Sequence, residues 1–336
     1  MITRRIAVEE AFVTEEIAAE WKKVLASRFV EPGFAMMGRT ILGEDPGARL
    51  VHSRLVNIGA DRIAQMDRDG IHFAVLSITS PGVQVFDAVT ATRLAREAND
   101  VLAKAVDANP TRLAGLAAVA PQFPEGAAKE LERAAGLGMK GFLINSHTAD
   151  EYLDDAKYWC LFEAAEALGM PLYLHPREPA PSMVRPFLDY GLYFAGWGFA
   201  VETATHAMRL IMCGVLDRFP RLKLILGHMG EGLPFWLQRI DNRYLLQVKI
   251  GAVNRLSRLP SEYFLDNFVI TTSGVMSAPA LRLALDVLGE DRIMFAADYP
   301  YESVEEGVRF MDSVAITDEQ RSKIYATNAE RIFRLE

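Results

Sequence analysis

Eight short apolar runs separated by longer amphipathic stretches constrain this chain more than any other feature. The runs are Arg5–Glu9, Phe73–Ser77, Ala114–Val119, Gly141–Asn145, Leu172–His175, Leu222–Gly227, Phe268–Thr272 and Ile293–Ala297. Between them, segments such as Ala88–Ala108, Ala127–Leu137, Tyr158–Leu168, Val201–Leu216 and Ala278–Val287 carry helical spacing and are rich in Ala, Leu, Glu and Arg. Strands alternating with helices predict a parallel sheet, and eight of them predict a closed (β/α)8 TIM barrel. A doubly wound open sheet would require a Gly-rich phosphate loop after an early strand, and the sequence has none.

A minimal barrel takes about 250 residues, and this chain has 336. We read residues 1–336 as a single barrel domain and place the surplus at 13–56. That stretch holds Pro32-Gly33, Gly38, Gly43 and Asp45-Pro46-Gly47, too irregular for one crossover helix, and is expected to be an insertion after strand one that covers the barrel mouth. A second long connection, Pro176 to Gly198, is rich in Pro, Gly and aromatics.

Composition narrows the function classes. The chain is 50% hydrophobic and 24% charged, as in a globular enzyme with a sizeable core. Its net charge of −8 gains nothing from counterion release, which argues against a nucleic-acid partner. Met1-Ile2-Thr3-Arg4-Arg5 runs into a strand without a signal-like apolar stretch, and no run approaches the roughly 20 residues that span a bilayer, so the expected location is cytoplasmic with no membrane partner. Cys160 and Cys213 are expected to be free thiols in apolar segments.

In such a barrel, chemistry projects from the C-terminal ends of the strands. Glu9, His175, His228 and Asp298 stand at the ends of strands one, five, six and eight, each directly after an apolar stretch. Any one of them alone can be read as a hydrogen-bonded structural group. Together, two carboxylates and imidazole form an open mixed nitrogen and oxygen site suited to a divalent metal. Glu231 lies three residues beyond His228 and is spaced to orient it. His147, after strand four, is a candidate substrate contact, whereas His52, His72 and His206 read as surface or structural histidines.

The segments Ile6-Ala7-Val8-Glu9-Glu10-Ala11-Phe12, Thr79-Ser80-Pro81-Gly82-Val83-Gln84, Leu172-Tyr173-Leu174-His175-Pro176, Gly227-His228-Met229-Gly230-Glu231 and Ala297-Asp298-Tyr299-Pro300 resemble the amidohydrolase-superfamily decarboxylases of hydroxybenzoates. The resemblance runs nearly the whole chain and is greatest to the 5-carboxyvanillate branch, through Lys140-Gly141-Phe142-Leu143-Ile144-Asn145-Ser146-His147-Thr148; the 2,3- and 2,6-dihydroxybenzoate (γ-resorcylate) branches are also similar. It implies metal ligation by Glu9, His175 and Asp298, with Mn²⁺ or Zn²⁺ as the single cofactor. Many superfamily members begin instead with a His-x-His pair. Here the stretch is Glu9-Glu10-Ala11, and Ala11 cannot coordinate.

The resemblance further implies that Asp298 protonates the ring, that His228 with Glu231 assists as an acid/base pair, and that Arg239 contacts a small aromatic acid. Arg49 and Arg54 are weaker candidates for that contact. Phe199 and Tyr299, with Tyr193 and Trp197, are expected to wall the ring, though aromatics are more often core. A homodimer or homotetramer is expected. Metal-dependent hydrolysis of a lactone, hydration of a ring-cleavage product, and a non-catalytic binding barrel stand as the alternatives, because one fold serves many chemistries.

Overall fold

The computed structural model describes residues 4–336; Met1, Ile2 and Thr3 of the N-terminal reading lie outside the described residues. Eight parallel strands follow one another in chain order: β1 (Ile6–Phe12), β2 (Phe73–Ile78), β3 (Leu113–Ala118), β4 (Gly141–Asn145), β5 (Leu172–His175), β6 (Leu224–Leu226), β7 (Phe268–Thr271) and β8 (Ile293–Met294). The amide of Val8 donates to the carbonyl of Phe295 at 3.2 Å, joining the last strand to the first. All eight predicted strands exist. The eighth is shorter than its apolar run because the chain leaves the ladder after Met294: Phe295 N donates to Ile324 O, and Ala297 N to the Glu10 carboxylate.

Register positions the site. Between the pairs Ala7↔Ala74 and Glu10↔Leu76, β1 advances three residues while β2 advances two. One extra residue in a strand is a bulge, a device that re-aims side chains. It falls where Glu9 and Glu10 stand side by side, both buried.

Residues 13–56, the stretch expected to be an insertion, hold three helices, α1 (Glu15–Leu25), α2 (Pro32–Leu42) and α3 (Pro46–Val56), and α4 (Ala60–Asp69) then leads into β2. Local chemistry explains the breaks. Thr14 caps α1 by accepting from Ile17 N at 3.3 Å, Asp45 caps α3 by accepting from Gly47 N and Ala48 N, and prolines open α2 and α3 where no donor is lost. Buried Trp21 of α1 donates its indole N–H to Gly82 O at 2.9 Å and meets Phe34 of α2 edge-on, which docks the insertion on the barrel. Four further helices, α5 (Ala88–Ala108), α6 (Pro124–Gly136), α7 (Trp159–Leu168) and α8 (Gly198–Met212), cover the outside of the strands. The predicted helix 201–216 is divided: α8 stops at Met212, and one more turn forms at Val215–Arg218 after Gly214.

Phe264 and Phe268 are fully buried and stacked with centroids 5.0 Å apart. Truncating a fully buried phenylalanine loses transfer energy and leaves a cavity. Phe268→Ala is therefore expected to destabilise the fold by about 3–5 kcal/mol, read from the denaturant midpoint. A change below about 1 kcal/mol would place this pair outside the cooperative core. Among the described residues, no helix is long and apolar enough to cross a membrane.

Candidate active site

The ends of β1, β5, β6 and β8 converge. Glu9 Oε1 lies 3.3 Å from His175 Nε2 and 3.9 Å from His228 Nε2, and His228 Nε2 lies 3.7 Å from Asp298 Oδ2. Glu9, His228 and Asp298 each present a ligand atom within 4.8 Å of the other two. The metal set implied by resemblance used His175 as the imidazole; the fold brings His228 into the same cluster.

Three of the four groups are oriented from behind. The second oxygen of Glu9 accepts from the hydroxyls of Tyr173 (β5) and Thr271 (β7, 3.0 Å). His175 Nδ1 is 2.8 Å from Pro176 O, a carbonyl that can only accept, so that nitrogen donates and Nε2 is the one turned to Glu9. His228 Nδ1 lies 2.8 Å from Glu231 Oε1. Such partners fix tautomer and ring angle in metal-ligating histidines.

The loop after β6 is unusual. His228, Met229 and Glu231 all have positive φ (50°, 57° and 53°), as has Asp298 (63°) after β8. Each non-glycine residue in that region costs roughly 1–3 kcal/mol, and such conformations cluster at functional sites. Gly227 begins the loop because a Cβ there would stand 2.9 Å from Glu9 Oε1.

Charge is tightly balanced. Burial pushes Glu9 up, but His228 and His175 outweigh it and hold the carboxylate at about 2. Burial disfavours a charged His228, yet Glu231 and Glu9 push its pKa well above the usual imidazole range. Burial raises Asp298 above the usual carboxylate range, with Glu9 helping and His228 opposing. Next to Glu9, burial lifts Glu10 to about 8 against the pull of Arg62.

The cluster suits a divalent metal. Glu9 Oε1 is buried, has no hydrogen-bond partner, and faces two imidazole nitrogens. An unsatisfied buried carboxylate oxygen is costly unless a cation or donor completes it. Two carboxylates and two imidazoles are the donors such an ion takes.

A cavity of about 210 Å³ opens over His175, His228 and Asp298. Met37, Thr40, Ile41 and Val51 from the insertion wall it, together with Phe194 and Phe199. It meets a wider, open cavity of about 910 Å³ that shares His228, Asp298 and Phe199 and is bordered by Trp197, Trp236 and Arg209.

The predicted substrate contacts divide. Phe199 lines both cavities and Trp197 the outer one. Tyr299 lines neither: its ring lies under Arg62, 4.4 Å from the guanidinium, with Arg54 on it at 5.9 Å. Tyr301, two residues on, faces the inner cavity instead. His147 is fully buried, with Nε2 near Glu178 O at 3.2 Å, and lines neither cavity. Arg239 is on the exposed side of the helix Leu233–Lys249 and lines neither. Arg49 borders a separate surface depression, and Tyr193 another.

The sequence reading assigned no role to Tyr173, Thr271, Tyr301, Thr79 and Ser80. Thr79 and Tyr301 share a hydroxyl hydrogen bond at the cavity, and the Ser80 hydroxyl beside them is buried without a partner. The polar Thr79-Ser80 pair directly after β2 was the available signal. Of the remaining histidines, His206 is satisfied by Ser146 and Leu153 N, His72 accepts from Arg5 N, and His52 approaches Glu15. Both cysteines are free.

A family profile described as amidohydrolase matches residues 51–335. The chain belongs to the amidohydrolase family. Gamma-resorcylate decarboxylase of a Polaromonas species is 39% identical to this amidohydrolase, over 98% of each chain. Among solved structures, 5-carboxyvanillate decarboxylase LigW from Sphingomonas paucimobilis superposes with a TM-score of 0.96 at 44% identity, covering 99% of this chain and 100% of that one. A 5-carboxyvanillate decarboxylase from Novosphingobium aromaticivorans, complexed with manganese and 4-hydroxy-3-methoxy-5-nitrobenzoic acid, superposes at 0.97 with 40% identity, covering 99% and 97%.

Proposed function

We propose that this amidohydrolase is a metal-dependent, non-oxidative decarboxylase of a hydroxylated aromatic acid, with 5-carboxyvanillate or a dihydroxybenzoate as substrate. One observation carries the reading: Glu9, His175, His228 and Asp298 meet, and the last three line a small cavity walled by Phe199 and aliphatic side chains. The similarity of the whole chain to decarboxylases of such acids supports it.

Glu9, His175 and Asp298 would hold the ion, with His228 within reach. A divalent ion bound there supplies Lewis-acid charge and a chelating centre for adjacent phenol and carboxylate oxygens. We favour Mn²⁺ over Zn²⁺ because carboxylate and substrate oxygens would dominate its surroundings; manganese in the Novosphingobium structure supports the choice. Ala11, unable to coordinate, speaks against a four-ligand hydrolytic site.

The residues then have defined tasks. Phe199 and the insertion wall hold the ring flat and exclude water. Asp298 carries the proton to the ring carbon that bears the carboxylate. A C–H bond forms, the bond to the carboxylate breaks, its electron pair returns to the ring, and CO₂ leaves. Asp298 is left ionised and regains a proton from solvent, with His228, oriented by Glu231, beside it. Nothing is oxidised or reduced.

Phe235, Trp236 and Trp197 are exposed near the outer cavity. We read this surface as the contact face of a homodimer or homotetramer. Arg239, on the same helix as Trp236, is a proposed substrate contact only within such an assembly.

The deciding experiment adds Mn²⁺-loaded protein to 5-carboxyvanillate and a panel of hydroxybenzoates, following ultraviolet change and CO₂ together. Stoichiometric CO₂, abolished by a chelator and restored by Mn²⁺, is expected. Lactone opening without CO₂ from any aromatic acid would make the site a hydrolase.

A further inference from the structure

Two residues beyond His175 the chain buries an arginine completely. Arg177 has no exposed surface, and its guanidinium donates to the carboxylates of Glu31 and Glu178 and to the carbonyl of His147 at 3.2 Å. A guanidinium is stable out of water only when charged acceptors meet it in good geometry. Glu178 and His147 belong to the connections after β5 and β4. Glu31 does not; it is the residue that precedes α2 in the insertion. Among the described residues, this is the one side-chain hydrogen bond between residues 31–42 and the barrel.

Steric fit closes the same place. Gly33, in the first turn of α2, lies so near Glu178 that a Cβ would stand 2.2 Å from its Cγ. Further along the helix, Met37, Thr40 and Ile41 form part of the inner cavity wall. The start of α2 is thus pinned to the connection that follows His175 at the end of β5, and its far half faces the site. Glu31, His147 and Glu178 lie within ligand spacing of one another, but one guanidinium nitrogen already pairs with both carboxylates, and its positive charge there disfavours a second metal.

We propose that Arg177 is a positioning residue: by clasping Glu31 it sets where α2 stands, and so fixes the wall of Met37, Thr40 and Ile41 against the ring substituents of the substrate. The inference rests on the aromatic-acid reading above for its substrate, and on geometry alone for the clasp.

Two variants test it from different sides. Glu31→Gln keeps size but removes the charge that Arg177 holds; Gly33→Ala keeps every charge but pushes α2 off Glu178. For each, steady-state kinetics on 5-carboxyvanillate with Mn²⁺-loaded protein are paired with amide hydrogen exchange along the chain. KM is expected to rise about tenfold with kcat within about twofold, and exchange in residues 34–42 to accelerate about tenfold while the barrel strands keep their protection. Unchanged exchange in both variants overturns the proposal. So does faster α2 exchange with KM unmoved, which would leave the clasp without bearing on substrate. Exchange that rises evenly through the strands also overturns it, because the ion cluster would then serve fold stability alone. If the wild-type protein decarboxylates no aromatic acid, the function reading fails, and the exchange data still decide whether the clasp exists.

Discussion

Asp298→Asn is expected to lower turnover on the order of 10³-fold while leaving the protein folded and metal-loaded. The substitution removes the one proton that the proposed step delivers to carbon and changes little else. Asp298 sits at φ 63°, a backbone region that Asn adopts as readily as Asp, so the loop after β8 needs no rearrangement. The amide oxygen can still face a cation, and the site keeps its shape. Metal content by elemental analysis, KM for the substrate and kcat are the three readings. Retained metal with kcat lost assigns the proton to Asp298. Near-normal kcat would move that task elsewhere, with His228 the next group in reach at 3.7 Å.

Glu9→Gln is expected to weaken metal binding by at least about 100-fold, because loss of even an outer partner of a ligand costs roughly 10–100-fold. Glu9 is the group between the two imidazoles, and both of them favour its ionised form. Glutamine also presents an amide N–H₂, which must avoid the Tyr173 and Thr271 hydroxyls by turning toward the site, or oppose them. A competition titration with a metal-sensitive dye measures the affinity. Activity should fall with it and recover in part at high Mn²⁺. Unchanged affinity would remove Glu9 from the metal shell. Tyr173→Phe should give the same direction with a smaller loss, since it frees the orientation of Glu9 without removing its charge.

The barrel was largely legible in the sequence because its strands are short apolar runs and its helices carry an independent period, two signals that do not interfere. The four convergent groups were legible for a related reason. A polar residue directly after an apolar run, in a fold whose strand ends share one rim, has few places to go. Tyr299 and Tyr301 mark the limit. Both follow Asp298 closely, and only the backbone path beyond β8 decides that Arg62 covers the first while the second faces the cavity. His147 sits at a strand end like the others, yet lies beneath the surface beside Arg177.

What the sequence by itself determined is local and periodic: eight strands, their helices, and the residue types presented at each strand end. Tertiary structure alone decided which of these groups meet and what stands behind them. Glu9 and Thr271 are 262 positions apart in the chain, and Glu31 and Arg177 are 146 apart. No short-range pattern encodes such pairs, because their contact depends on barrel closure, on the bulge that re-aims β1, and on how three inserted helices settle over the rim. Hydrophobic burial chooses the fold through many small, non-directional terms. The site depends on a few directional contacts that form only once the fold has brought their partners within reach.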